Sequence, residues 1–302
     1  MNKEQNLEEL ITRIVAPKVE DRIVQLTLIN KVLFELSAQI SPLVKGNVYK
    51  NQANIICQMI ISKNAHIITS AKGIYINDKL PMIVDPTAIG VLVRNVFETV
   101  VMFHSVFTFH TSQEVKTLVY DLWDIAGFTY RQRFKEVLNT PENHIKQEQE
   151  LTMINRQIEK IKSSKIYSSI KNQGAIDHLI NNKEYKFLIN ENKIIPVSWQ
   201  EAANLLKFKQ NQMKEIYTHL SLYAHPSSVS VVQYEQMFLE GYNVGLAGLQ
   251  FMILSSLNIA FIVEYIKFFP ESIGIFNNLP EDEKFIINSL IRLIRGEEYT
   301  IK

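Results

Sequence analysis

The 302-residue chain has one cysteine, ten glycines and nine prolines, and this scarcity excludes several classes of protein. A single thiol makes neither an intrachain disulfide nor a multi-cysteine zinc site. That cysteine, Cys57, sits in the run Ile55 to Ile61, an apolar setting that predicts a buried and inert thiol. Charge of one sign is absent too. The formal net charge is +1, so no global attraction to nucleic acid or anionic lipid is expected, and only a local patch would serve. The first residues, Met1 to Glu9, are polar and acidic with no apolar signal core, which reads as cytoplasmic. Gly-rich phosphate loops, His-Glu-x-x-His, Gly-x-Ser-x-Gly and the dinucleotide fingerprint are all missing, and no cofactor is expected.

What is present is helical periodicity. Apolar positions recur at helical spacing from Val19 to Ile40, and Ser41-Pro42 ends that run. A second helix is predicted from Tyr49 to Ser70. Asp85-Pro86-Thr87 starts another, to about His110, with Asp85 as cap and Pro86 in the first turn. Thr111 to Glu114 and Ser198 to Glu201 read as capping boxes; the second opens a helix to about Tyr223. Thr140-Pro141 starts a further helix, to about Ile161. Between Gly73 and Val84 the pattern fits a short hairpin or an extended loop, and Leu188 to Pro196 reads as a turn between short apolar pieces. The fold expected is all-α: a multi-helix bundle, one domain over 1–302, with a polar, Lys-rich insertion at 157–197. That insertion reads as a solvated helical excursion, with a phosphate-touching arm as the sharper alternative.

Val244 to Val263 carries no charge and is long enough to cross a bilayer. It nevertheless contains Gln250, Ser255, Ser256 and Asn258, and no Lys/Arg cluster flanks it. A central buried helix is the preferred reading over a membrane span.

Three places carry candidate chemistry. Arg94 and Glu98 are four apart in an otherwise apolar helix, so they share a face as an internal ion pair or as the lining of a pocket. Tyr217 to Ser227 gathers Tyr217, His219, Ser221, Tyr223 and His225 at one helix end. Histidine there suits acid–base work or anion binding, and helix-end capping is the plainer role. Arg131 and Arg133 offer forks for phosphate or carboxylate, or are surface charges. No metal site is expected, because His104 and His110, and likewise His219 and His225, are six apart and face different sides of a helix.

The pair of motifs Arg94-x-x-x-Glu98 and Tyr217-x-x-x-Ser221-x-x-x-His225-Pro226 resembles a family of bacterial all-helical proteins loosely related to the HEPN group. The resemblance covers two short motifs between about Val84 and Tyr234. It implies a helical bundle that binds a nucleotide or an RNA phosphate in a phage-defence or toxin system. The chain departs from the HEPN ribonuclease pattern, since no arginine stands four to six residues before a histidine; Lys214, five before His219, lacks the guanidinium fork. Three readings follow. One is a binding domain using Arg94, Glu98, Tyr217, Ser221 and His225. Another is a hydrolase with His225 as base, Ser221 as nucleophile or binding group and Glu98 as orienting group. The third is a structural or interaction module, with self-association left open.

Overall fold

A computed structural model describes residues 3–75, 83–134, 136–137, 139–209, 213–224, 227–239 and 242–302, the side chains of residues 3–7 and 239 apart. The protein is all-α. Fourteen α-helices occur among the described residues: α1 (Lys3–Val15), α2 (Val19–Ile40), α3 (Val48–Ala71), α4 (Pro86–Phe103), α5 (Gln113–Arg131), α6 (Pro141–Lys162), α7 (Lys165–Ser169), α8 (Gln173–Asn182), α9 (Trp199–Asn204), α10 (Met213–Ala224), α11 (Ser228–Leu239), α12 (Tyr242–Phe268), α13 (Ser272–Asn277) and α14 (Glu281–Ile294). A two-stranded sheet accompanies them, β1 (Phe187–Asn190) against β2 (Lys193–Pro196).

Helix starts follow local chemistry. Asp85 Oδ1 accepts from the backbone N–H of Thr87 at 2.8 Å and of Ala88 at 3.3 Å, which satisfies two of the donors that a helix start leaves open. Ser198 and Glu201 form the predicted reciprocal box, at 2.7 and 3.2 Å. Two expectations are corrected. α5 begins at Gln113 with Ser112 as its extended cap and no side-chain bond there, so no capping box forms at Thr111 to Glu114. The helix opened by Ser198 does not run to Tyr223. It ends at Asn204, and the chain passes through Lys207 at φ +55, a left-handed conformation that cannot continue a helix, before α10 starts. After α4 the backbone widens into a π-helix, His104–Thr108. The expected hairpin near 73–84 shows one antiparallel bridge, Ile74 with Ile83; residues 76–82 lie outside the described residues.

The chain forms two compact units, one of residues 1–101 and 206–302, the other of residues 102–205. In the first, α2 presents Leu26, Ile29, Val32, Leu33 and Leu36 at helical spacing, all fully buried. α12 packs against α2, α11 and α14 and is buried nearly all round through Phe251, Leu254, Leu257, Phe261 and Tyr265. Each such side chain stabilises the fold by about 1.5–3 kcal/mol. Several of its polar groups meet partners inside the core. Asn258 and Asn64 exchange amide hydrogen bonds at 3.0 and 3.2 Å, and the Tyr265 hydroxyl donates to Asn54 at 2.6 Å. Glu264 accepts from Arg295 of the chain just after α14 at 2.6 Å, both side chains nearly inaccessible. Such pairs fix helix register, because any slip strands a buried polar group. Cys57 is fully buried, and burial pushes its thiol pKa far up.

In the second unit α5 and α6 are joined by buried and half-buried carboxylates. Lys160 reaches Asp121 at 2.7 Å, Gln157 donates to Asp124 at 2.9 Å, and Arg131 clasps Glu150 with two nitrogens. The β1–β2 turn uses Glu191 and Asn192, at φ +48 and +61, as a two-residue hairpin turn requires. Beside it the buried Lys186 ammonium lies 4.4 Å from the Trp199 ring centroid, 4.9 Å from that of Tyr185 and 2.6 Å from Glu184. The Lys-rich stretch 157–197 belongs to this unit.

Three helical stretches, Val19–Val44, Pro86–Thr108 and Tyr242–Phe268, are long and apolar enough to cross a membrane.

Candidate functional site

The site is built on the seam between α4 and α10. Gly90 lies against Tyr223, and one turn further along α4 Arg94 meets Tyr217, so the two helices run in opposite directions. Gly90 makes this approach possible. A methyl group there would stand 2.7 Å from Tyr223 Cδ2 and 2.9 Å from Gln250 Nε2. Gln250 is fully buried, donates to the Pro86 carbonyl at 2.8 Å, and holds α12 to the start of α4.

Arg94 and Glu98 pair as their spacing implied, and Tyr217 joins them from α10. Arg94 Nε donates to Glu98 Oε1 at 3.1 Å, and its Nη2 donates to the Tyr217 hydroxyl at 3.2 Å. The guanidinium carbon is 5.2 Å from the Tyr217 ring centroid, and that ring also packs on Phe97 at 5.4 Å. Burial is the largest single influence on Arg94 and lowers its pKa, but the bonds to Tyr217 and Glu98 together raise it further. Arg94 Nη1 is buried and has no acceptor among the described residues. The cluster is therefore a brace between α4 and α10 with one donor left open.

Two residues along α10 turn a side chain by about 200° on a 3.6-residue helix, so His219 and Tyr223 occupy a different face from Tyr217 and Ser221. Their rings stand edge to face at 5.2 Å, with the Tyr223 hydroxyl 3.4 Å from His219 Nε2. Burial lowers the His219 pKa below the usual 6.5, so its ring is neutral at neutral pH. It also raises the Tyr223 pKa. Both residues line a cleft of about 410 Å³ among α10, α11 and α12, completed by Leu222, Gln233, Gln236, Met237, Tyr242, Gly245 and Leu246. A smaller hollow of about 240 Å³ shares Leu222, Tyr223, Gln233 and Met237 and adds Thr87, Ser230, Val231 and Tyr234. No Asp, Glu, Lys or Arg lines either one among the described residues.

The remaining candidates are placed as follows. Ser221 donates its hydroxyl to the Tyr217 carbonyl at 2.7 Å, within its own helix. His225 lies outside the described residues, as does Pro226. Arg131 belongs to the second unit, where it is engaged with Glu150, and Arg133 stacks over Tyr130 at 5.3 Å. No three His, Cys, Asp or Glu side chains converge as a metal ion needs among the described residues. Sequence reasoning missed Gln233, Gln236, Met237 and Tyr242. The signal available was the i, i+3 pair of amides on one face of α11. Gly90 inside an apolar helix was a second signal, since such a glycine marks a close approach.

No family model, curated protein or solved structure matches the chain.

Proposed function

We propose that the protein is a binding module for a neutral, planar, partly apolar ligand of nucleobase type, seated in the cleft among α10, α11 and α12. The observation that carries this reading is the lining itself. It offers aromatic faces (Tyr223, Tyr242), a neutral imidazole (His219) and two amides (Gln233, Gln236), with no charge among the described residues. Aromatic faces stack on bases, and a glutamine amide can donate and accept along a base edge. A phosphate has no cation here, so the nucleotide reading of the Arg94 cluster rests on the open Nη1 donor alone. In this reading the protein is a cytoplasmic nucleoside- or nucleotide-responsive protein, and a HEPN-like role in phage defence or a toxin system is its extension. A hydrolase using His225 draws no support from the described residues, because Ser221 and Glu98 already have partners.

The test is calorimetric titration of adenosine and of its monophosphate into the full chain. Binding of adenosine, weakened by up to about tenfold in Gln236→Ala through loss of one hydrogen bond, supports the reading. Absence of binding by any nucleoside or nucleotide refutes it. A second reading, a structural or interaction module that pairs with a partner or a second copy, is favoured by one observation. α11 exposes Val229, Val231 and Val232, apolar side chains that a solvated helix does not need. Self-association in sedimentation, lost in Val231→Lys, would support it.

A further inference from the structure

The first unit holds a second cavity, apart in its lining residues from the cleft just described. It measures about 340 Å³ and lies among the end of α1, the start of α2, α10, α12 and α14. Its walls are mostly apolar, with Val15, Phe208, Met213, Met252, Leu290 and Leu293 among them. Two features set it apart from an ordinary packing defect.

The first is Arg22. Its Nε donates to the Ala16 carbonyl at 3.1 Å and its Nη1 donates to the Gly248 carbonyl. Gly248 admits this approach, since a methyl group there would lie 3.1 Å from Arg22 Nη1. Among the described residues no carboxylate pairs with this half-buried guanidinium. Two neutral carbonyls fix its orientation and leave its charge uncompensated. Lys209 is the other cation on the lining, and no Asp or Glu joins them there. The second feature is Ser255. The residue is 4% exposed, lines the cavity, and its hydroxyl has no hydrogen-bond partner among the described residues. An unmet buried hydroxyl is unfavourable by about 1–3 kcal/mol, which a ligand oxygen would relieve. Gly248 and Ser255 are seven residues apart, two turns on one face of α12, so the two polar points are about 11 Å apart along the helix.

We infer that this cavity binds a single medium-length acyl chain that carries a carboxylate at Arg22 and a hydroxyl or keto oxygen at Ser255. A carboxylate suits the pre-oriented guanidinium through charge-assisted hydrogen bonds. The aliphatic walls take the methylenes between the two polar points. A cavity of this volume has no room for a two-chain lipid, so the occupant is the free acid and not a bilayer.

The experiment is calorimetric titration of decanoate and of a terminally hydroxylated decanoate, both below their micelle concentrations, into the full chain. Both acids bind and the hydroxylated one binds more tightly. Ser255→Ala removes that preference, and Arg22→Gln weakens both acids about tenfold or more, the worth of one charge-assisted hydrogen bond. Because Arg22 also ties two carbonyls, a second pair of variants is included at Leu293, which is 63% exposed and tolerates change. Leu293→Glu weakens the acids by charge repulsion and Leu293→Lys does not. Failure of both acids to bind, equal binding by Arg22→Gln and the native chain, or no preference for the hydroxylated acid overturns the inference. So does association with phosphatidylglycerol vesicles without uptake of the monomeric acids. None of these readouts depends on nucleoside binding, so the two sites stand or fall separately.

Discussion

His110 should make the second unit sensitive to mild acid, and the size of the effect follows from its surroundings. Its ring packs 4.8 Å from Phe109 and 5.2 Å from Phe187. Burial first, then the positive charge that His104 and Lys116 contribute, pushes its pKa from 6.5 down to about 4. At neutral pH the imidazole is uncharged in both folded and unfolded chains. As pH falls below 6.5 the unfolded chain takes up the proton first, so unfolding is favoured, and the loss accumulates until the folded form protonates near 4. At about 1.4 kcal/mol per pKa unit, the stability lost across that window is about 3 kcal/mol. Both tryptophans, Trp123 and Trp199, lie in this unit, so fluorescence-detected urea unfolding reports on it alone. Asp121 and Asp124 have raised pKa values through burial and work in the opposite sense as pH falls. The measurement is therefore the difference between the native chain and His110→Phe, followed from neutral pH down to about 4. The native chain should lose about 3 kcal/mol more than the variant over that range. Parallel profiles, or an imidazole proton resonance titrating near 6.5, would refute the reasoning.

Other expectations are more local. Glu264→Ala strands a buried guanidinium and should destabilise the first unit by about 3–5 kcal/mol in far-ultraviolet circular dichroism melts, while Glu264→Leu with Arg295→Met recovers most of that. Gly90→Ala overpacks the Tyr223–Gln250 contact and should cost about 1–3 kcal/mol, with a cost clearly smaller in a Tyr223→Leu background; full additivity would show that the close approach is not the cause. Affinity in the α10–α12 cleft should hold level through the ordinary histidine range and fall only in more acid solution, because burial lowers the pKa of His219, and His219→Gln should flatten that profile. The burial of α12 predicts that the full chain stays in the supernatant of detergent-free buffer; pelleting with membranes would show a helix that spans.

Helix content, most helix starts and the all-α class were legible from residue order because they are set locally. Asp85, Thr140 and Ser198 cap where short-range hydrogen bonding says they should, and the length of α12 follows from its run of apolar residues. The i, i+4 spacing of Arg94 and Glu98 likewise held as a contact, since one helix turn enforces it. Contacts between distant parts of the chain were not legible. That Tyr217 closes on Arg94, that Arg295 neutralises Glu264, and that Gln233 and Gln236 face His219 depend on which helix faces meet, and many pairings satisfy the same apolar pattern. The break between α9 and α10 was missed because Lys207 in a left-handed conformation carries no residue-type signature. Sequence alone therefore determined that this protein is helical and where most of its helices begin. Only tertiary packing decided which polar side chains are braced inside it and which are left open to a ligand, because burial is a property of the assembled helices and not of any one of them.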